Sequence, residues 1–339
     1  MAYTDIDKPS DYFNTVLYTG NGSGQTISGV GFQPDWNWTK CRTATQSHVL
    51  TDAVRGVTKT LFTNATQAEA TLSGITAFGT DGYTLGASDL WSENSTSFAS
   101  WNWLGANGTA SNTTGSIDST VSANTTSGFS IVSWTGNGGT ASVGHGLGVK
   151  PNIVIKKNRG ASTNWIFSTT IIDGSNDFFY LNSTNAKGNS GETAPTASLI
   201  NLYANSENNG NGNGMIAYCF AEKQGYSKFG SYTGNGNADG TFIYTGFKPA
   251  WLLVKSTAAN DWILHDTKRN PHNVSNVILH PNASDADVTN TIYNLDILSN
   301  GFKTRTTHAR LNGSGVTYIY MAFAENPFVT STGVPATAR

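Results

Sequence analysis

Tyr18-Thr19-Gly20-Asn21-Gly22 returns twice in this chain, as Trp134-Thr135-Gly136-Asn137-Gly138 and as Tyr232-Thr233-Gly234-Asn235-Gly236. Each copy is an aromatic-Thr pair running into Gly-Asn-Gly. That reads as a strand entering a turn, because Gly adopts positive φ freely and Asn tolerates it better than most residues. The match continues outward. Gly31-Phe32-Gln33-Pro34, Gly148-Val149-Lys150-Pro151 and Gly246-Phe247-Lys248-Pro249 follow in turn, and a Lys stands six residues past each Pro: Lys40, Lys157 and Lys255. The prolines lie 117 and 98 residues apart and the aromatic-Thr anchors 116 and 98. Such agreement is the signature of an internal repeat. Each unit closes on an aromatic strand, at 98–103, 215–220 and 318–323.

From these anchors the pattern predicts an all-β chain of three tandem antiparallel β-sandwich or jelly-roll-like modules. Turn residues recur every 8–12 positions, with aromatic or β-branched runs between them and almost no helical periodicity. The expected boundaries are an N-terminal lead at 1–16, modules at 17–103, 128–222 and 229–328, a Gly/Ser/Thr/Asn-rich linker at 104–127 and a flexible tail at 329–339. Copies one and three share a strand opener, Asp81-Gly82-Tyr83 and Asn300-Gly301-Phe302, which copy two lacks. The tryptophans are expected in sandwich centres or in seams between modules.

Composition narrows the function classes. Among 339 residues, 12% are charged, against roughly 25% in a typical globular chain; Gly, Asn, Ser and Thr take up the difference. A net charge of −2 and the absence of a basic stretch argue against nucleic-acid binding. No apolar run approaches the ~20 residues needed to span a bilayer, so membrane insertion is not expected. The first residues carry no basic start or apolar segment, so the reading expects no signal peptide. Cys41 and Cys219 are the only cysteines, which is no disulfide framework.

The recurring lysine is the most suggestive charge. Alternation places it on the face of Trp36, Ile153 and Trp251, and the expected arrangement is a buried stem with the ammonium on a carboxylate. Asp52 and Asp266 lie 12 and 11 residues downstream, and Asp173 at a looser 16. Cys219 aligns with Asn102 and Ala322, a position that takes a small side chain. His265, His272 and His280 have spacings that match no compact metal motif. Asp261 and Asp266 beside Trp262 allow the thought of a glycosidase pair, whose separation a sequence cannot set. Gly144-His145-Gly146 has no nucleophile elbow to serve, and Gly-Asn-Gly lacks the Lys-Ser/Thr of a phosphate loop. The reading therefore expects no catalytic, cofactor-binding or metal-binding residue and no enzyme. It assigns a structural role to the anchors Gly20, Gly22, Pro34, Lys40, Gly136, Gly138, Pro151, Lys157, Gly234, Gly236, Pro249 and Lys255. Abundant aromatics with Asn and Asp leave carbohydrate binding open.

The opening Ile6-Asp7-Lys8-Pro9-Ser10-Asp11-Tyr12-Phe13, the stretches Phe32-Gln33-Pro34-Asp35-Trp36 and Ser227-Lys228-Phe229-Gly230-Ser231-Tyr232, and the ending Ala322-Phe323-Ala324-Glu325-Asn326-Pro327-Phe328 resemble a family of proteins from marine tailed bacteriophages of the cyanophage and pelagiphage type. The resemblance runs over nearly the whole chain and brings no catalytic residues with it. It implies a non-enzymatic structural protein on the virion surface, tail- or fibre-associated and touching the host. Other virion proteins would be its partners, a host-surface glycan a further one, and it would be homo-oligomeric or multi-copy. The alternative is a capsid decoration (knob or cement) protein with pseudo-threefold internal symmetry; a carbohydrate-active enzyme is the weaker one. The resemblance departs from long phage fibres, which carry an anchoring domain and a trimeric shaft that this chain does not.

Overall fold

A computed structural model describes residues 4–335. The chain is all-β, 43% strand and 4% helix, in several antiparallel sheets. One order of strands recurs three times. In the first copy the opening strand Phe13–Thr19 pairs with the closing strand Ser97–Trp103, which pairs with the lysine strand Trp36–Cys41, and the sheet continues through Val49–Asp52 and Lys59–Phe62. The second copy repeats this with Phe129–Thr135, Gly214–Phe220, Ile153–Asn158, Ile166–Thr169 and Asp177–Tyr180. The third has Ser227–Thr233, Thr317–Pro327, Phe247–Ser256 and Ile263–Asp266.

Register makes the equivalence residue by residue. Trp36 faces Trp103, Ile153 faces Phe220 and Trp251 faces Phe323 on the closing strands. Pro249 cannot donate to the ladder, and it sits at a register shift, where a missing N–H costs least.

A smaller sheet accompanies each large one. Gln25–Ser28, Gly82–Leu85 and Ile75–Gly79 form three strands in the first copy, and Phe242–Tyr244, Gly301–Thr304 and Leu295–Leu298 three in the third. The second has two, Ala141–Gly144 and Leu199–Leu202. The missing Gly-aromatic opener of copy two is thus a missing strand. Apolar side chains collect between the sheets: Ile27, Ile75, Tyr83 and Trp91 in the first copy, Val132, Val154, Ile200 and Met215 in the second, Leu252, Ile278, Leu295 and Phe302 in the third.

Compactness divides the chain in two. One unit holds Asp11–Asn182 with Gly188–Ala221, and so includes copies one and two; the other holds the described parts of 1–10, 183–187 and 222–339. Within the larger unit a seam joins the first two copies. The Trp36 ring lies 4.6 Å from Tyr218, 5.8 Å from Phe129 and 5.7 Å from Phe220, and Trp165 Nε1 donates to Phe62 O at 2.7 Å. This seam explains why all six residues of Trp36–Cys41 and of Ile153–Asn158 are buried. The face of Trp36 and Ile153 is the seam, and the sandwich interior lies on the opposite parity.

Three boundaries differ from expectation. Residues 104–127, expected as a linker, contain Ala110–Asn112 and Ser119–Asn124, which extend the large sheet of copy two. Short Ser, Thr and Asn side chains suit an edge, and Val121 alone there reaches the core of that copy. The opening strand begins at Phe13, inside the expected lead 1–16, of which 1–3 lie outside the described residues. In the expected flexible tail, 336–339 lie outside them too. Before those residues, Thr330 N donates to Val334 O at 2.9 Å and Ser331 N to Asp7 Oδ1 at 2.6 Å, which forms a held turn.

Candidate functional site

The Gly-Asn-Gly turns are superposable bond for bond. Gly22, Gly138 and Gly236 have φ of +72°, +76° and +66°, the left-handed region that costs an L side chain roughly 1–2 kcal/mol. Their N–H groups donate to Ser92 O, Asn209 O and Asn312 O at 2.7, 2.8 and 3.0 Å. The preceding glycines are required for space: a Cβ at Gly20, Gly136 or Gly234 would lie 2.2, 2.3 or 2.4 Å from the carbonyl oxygen of Glu93, Gly210 or Gly313. The Asn between them closes an Asx turn, Oδ1 of Asn21, Asn137 and Asn235 accepting from the N–H two residues on. Each turn is therefore held by its own Asx bond and by carbonyls of the segment ahead of the closing strand.

The lysines overturn the carboxylate expectation. Lys40, Lys157 and Lys255 are each fully buried, and their Nζ atoms donate to backbone carbonyls. The acceptor on the next residue is Cys41 O at 2.6 Å, Asn158 O at 2.9 Å or Ser256 O at 3.1 Å. A second lies in the following turn: Ala44 O at 3.5 Å, Ala161 O at 3.2 Å or Ala258 O at 3.0 Å. Lys157 also reaches Thr66 O (3.1 Å) and Thr163 O (3.0 Å), and Lys255 reaches Thr184 O (3.4 Å). Burial lowers the Lys157 and Lys255 ammoniums to about 8, against the smaller opposing pull of Glu207 and Asp261 respectively. Pro34, Pro151 and Pro249 are buried as well.

The aspartates expected for those lysines hold arginines. Asp52 Oδ1 accepts from Arg55 N at 2.8 Å and its Oδ2 pairs with Arg55 Nε; Asp266 and Arg269 repeat both contacts. Asp52 Oδ2 also accepts from Tyr218 OH at 2.7 Å. Arg55 Nη1 continues to Glu69 Oε2 at 2.9 Å, and Glu69 receives Arg159 through two bonds of 2.9 Å. Burial opposes the Glu69 charge, but Arg159 and Arg55 outweigh it and hold the carboxyl below its usual range. The network ties copy one to copy two. In copy two Thr169 stands where the others have Asp, and exposed Asp173 accepts from Ser175.

The remaining candidates are absorbed structurally. Burial, with Arg269 and His280 adding, lowers His265 to about 3; its Nδ1 faces Ser275 Oγ at 3.1 Å. His280 Nδ1 donates to Trp262 O at 2.9 Å. His145 accepts from Leu147 N through Nδ1 and meets Thr196 O through Nε2. Among the described residues no group of three or more His, Cys, Asp or Glu side chains is placed to hold a metal ion. Cys41 and Cys219 are buried, and burial pushes the Cys219 thiol up. Asp261 pairs with Arg310 at 2.9 Å.

A cleft of about 240 Å³ opens in copy two, beside the strand Asp177–Tyr180 and the short helix Ser206–Asn209. The Phe178 and Tyr180 rings meet edge to face at 5.3 Å on one wall. Opposite, Tyr203 is 47% exposed and packs on Gly191, where a Cβ would come within 3.2 Å of its Cε2. Glu192 fixes this wall: its carboxylate sits on buried Lys156 at 2.5 Å, and its Oε1 accepts from Tyr203 N at 3.3 Å. Glu207 Oε1 accepts from Asn164 Nδ2 at 2.7 Å. Partial burial, and then the charge and hydrogen bond of Glu207, raise the Tyr180 phenol. The Asn208 side chain is 7% exposed; its Nδ2 donates to Asn205 Oδ1 at 3.1 Å, and its Oδ1 has no hydrogen-bond partner. Aromatic walls with an acceptor-rich floor can hold a small molecule that offers hydroxyl donors.

Comparison with known proteins gives a family and no activity. The sequence matches the family described as a domain of unknown function, DUF7483, over residues 8–327. The chain belongs to the DUF7483 family. No curated protein and no solved structure matches it.

Two features of this DUF7483 chain escaped sequence reasoning. The Asp-x-x-Arg pairs at 52–55 and 266–269 recur at equivalent places and were legible as a repeat within the repeat. The cleft had only a faint trace. The segment 190–198, between Gly188–Asn189 and Leu199–Leu202, occupies the place in chain order where the other copies carry the outer strand of the small sheet.

Proposed function

We propose that this DUF7483 protein is a non-enzymatic structural component on the exterior of a tailed phage particle, tail- or fibre-associated and in contact with the host surface. The observation that carries this reading is the fate of the conserved-in-repeat charge. The one cation present in all three copies donates to backbone carbonyls, and the glycine turns bond to carbonyls just ahead of the closing strand of the same copy. The repeated residues thus build a scaffold, and the copies differ in loops and in the strands at the margins of their sheets. Low charge and the resemblance to marine phage proteins add support.

A capsid decoration protein is the second reading, favoured by the threefold recurrence of one strand order. Quantitative mass spectrometry of purified particles separates the two. A dozen or so copies per particle is the expected result for a tail component, whereas hundreds would transfer the protein to the capsid. Binding of the purified protein to host cells at ~1 µM is expected, and its absence would remove the host-contact part.

A further inference from the structure

The geometry points to the cleft of copy two as a carbohydrate subsite that takes one ring of a neutral glycan; this rests on the host-contact reading above. Four observations converge on that ligand class. First, the walls are aromatic. Phe178, Tyr180 and half-exposed Tyr203 present flat apolar surface of the kind a pyranose ring covers with its C–H face. Second, the polar lining is rich in acceptors. The Glu207 carboxylate, with the side-chain oxygens of Ser190 and Asn205 on the same lining, offers acceptors to a ligand with hydroxyl donors. Third, no lysine or arginine lines the cleft, so a uronic or sialic acid would meet the Glu207 carboxylate with no basic side chain in direct contact to pair with it. Fourth, about 240 Å³ falls below the roughly 300–1,000 Å³ of sites for larger molecules, so a single ring fits.

The site is also held in advance of binding. Lys156 anchors Glu192, Glu192 holds the backbone of Tyr203, and Asn205 caps the helix that carries Glu207 and Asn208. Preorganisation of this kind lowers the ordering cost of binding. Three aromatics around a carboxylate would also suit a quaternary ammonium. Glu207, however, already accepts from Asn164 and Tyr180 and feels the charge of Lys157, which weakens its hold on a cation.

Saturation-transfer NMR on the full chain tests the assignment with neutral trisaccharides of glucose, galactose, mannose and N-acetylglucosamine, a trigalacturonate and choline. The expected result is transfer to at least one neutral trisaccharide, with a Kd on the order of 1 mM. It should be weakened about tenfold by Tyr203→Ala and several-fold by Glu207→Gln. Tyr244→Ala, at an exposed tyrosine outside the cleft, should leave both binding and melting temperature unchanged. No transfer to any neutral sugar at ~10 mM, binding indifferent to Tyr203→Ala, or preference for trigalacturonate or choline would each overturn it. Particle mass spectrometry keeps the two ideas apart. A particle protein that binds no sugar sinks the subsite alone, and a sugar binder absent from particles sinks the phage reading alone.

Discussion

Lys157 shows how a charge can be structural without a counter-charge. Its ammonium sits among carbonyls from both sides of the seam, with Thr66 contributed by copy one and Asn158, Ala161 and Thr163 by copy two. Replacing it by Met leaves these acceptors unsatisfied and should cost about 2 kcal/mol or more, read as a lower midpoint in urea. The pH dependence has a definite sign. The folded ammonium titrates at about 8 and the unfolded one at about 10.4. Between those values the unfolded chain binds more protons, so stability rises with pH. Lys255 adds the same effect over the same window. Lys157→Met should therefore reduce the rise between about pH 8 and 10, and an unchanged slope would refute the assignment. The turn glycines make a paired test. Gly138→Ala forces an L residue to φ +76° and should cost roughly 1–2 kcal/mol. Gly136→Ala drives a Cβ to within 2.3 Å of Gly210 O and should cost more in the same denaturation series.

Among elements, the Asp52–Arg55–Glu69–Arg159 network is the clearest device joining two copies. Glu69→Gln leaves buried Arg55 and half-buried Arg159 facing a neutral amide, and should cost about 3 kcal/mol. Because the folded Glu69 carboxyl is held below its usual range, its contribution is present above the unfolded value of about 4.3. It is lost as pH falls through the folded value, so the variant and the parent should converge in strong acid. The recurrence of the strands was legible because the anchors that report it are local: a Gly turn, a Pro, a Lys six residues on. Register was legible too, and the alignment of Cys219 with Asn102 and Ala322 is the pairing found opposite Val154, Asn37 and Leu252. The edge strands at 110–112 and 119–124 were not, since strands made of Ser, Thr and Asn carry no hydrophobic alternation. The lysine partners were misread for a related reason. Spacing along a strand indicates which side chains are near, but an arginine three residues from each aspartate competes for it at shorter range. The cleft was illegible because it depends on a loop that replaces a strand.

For the whole molecule, three copies of one strand order occupy two compact units, and copies one and two share the larger. Most charged groups that recur are buried and bonded, and what differs between copies includes surface segments such as 190–198. That division between a repeated frame and a variable surface is what the proposed role on a phage exterior requires. The most direct test of that proposal is a near-atomic reconstruction of intact particles of a tailed phage whose genome carries this sequence. Density for its recurring sheets on the outer surface of the tail or fibre, with the 190–198 segment facing outward, is the predicted result. Particles that lack the protein, or that hold it inside the shell, would contradict the account.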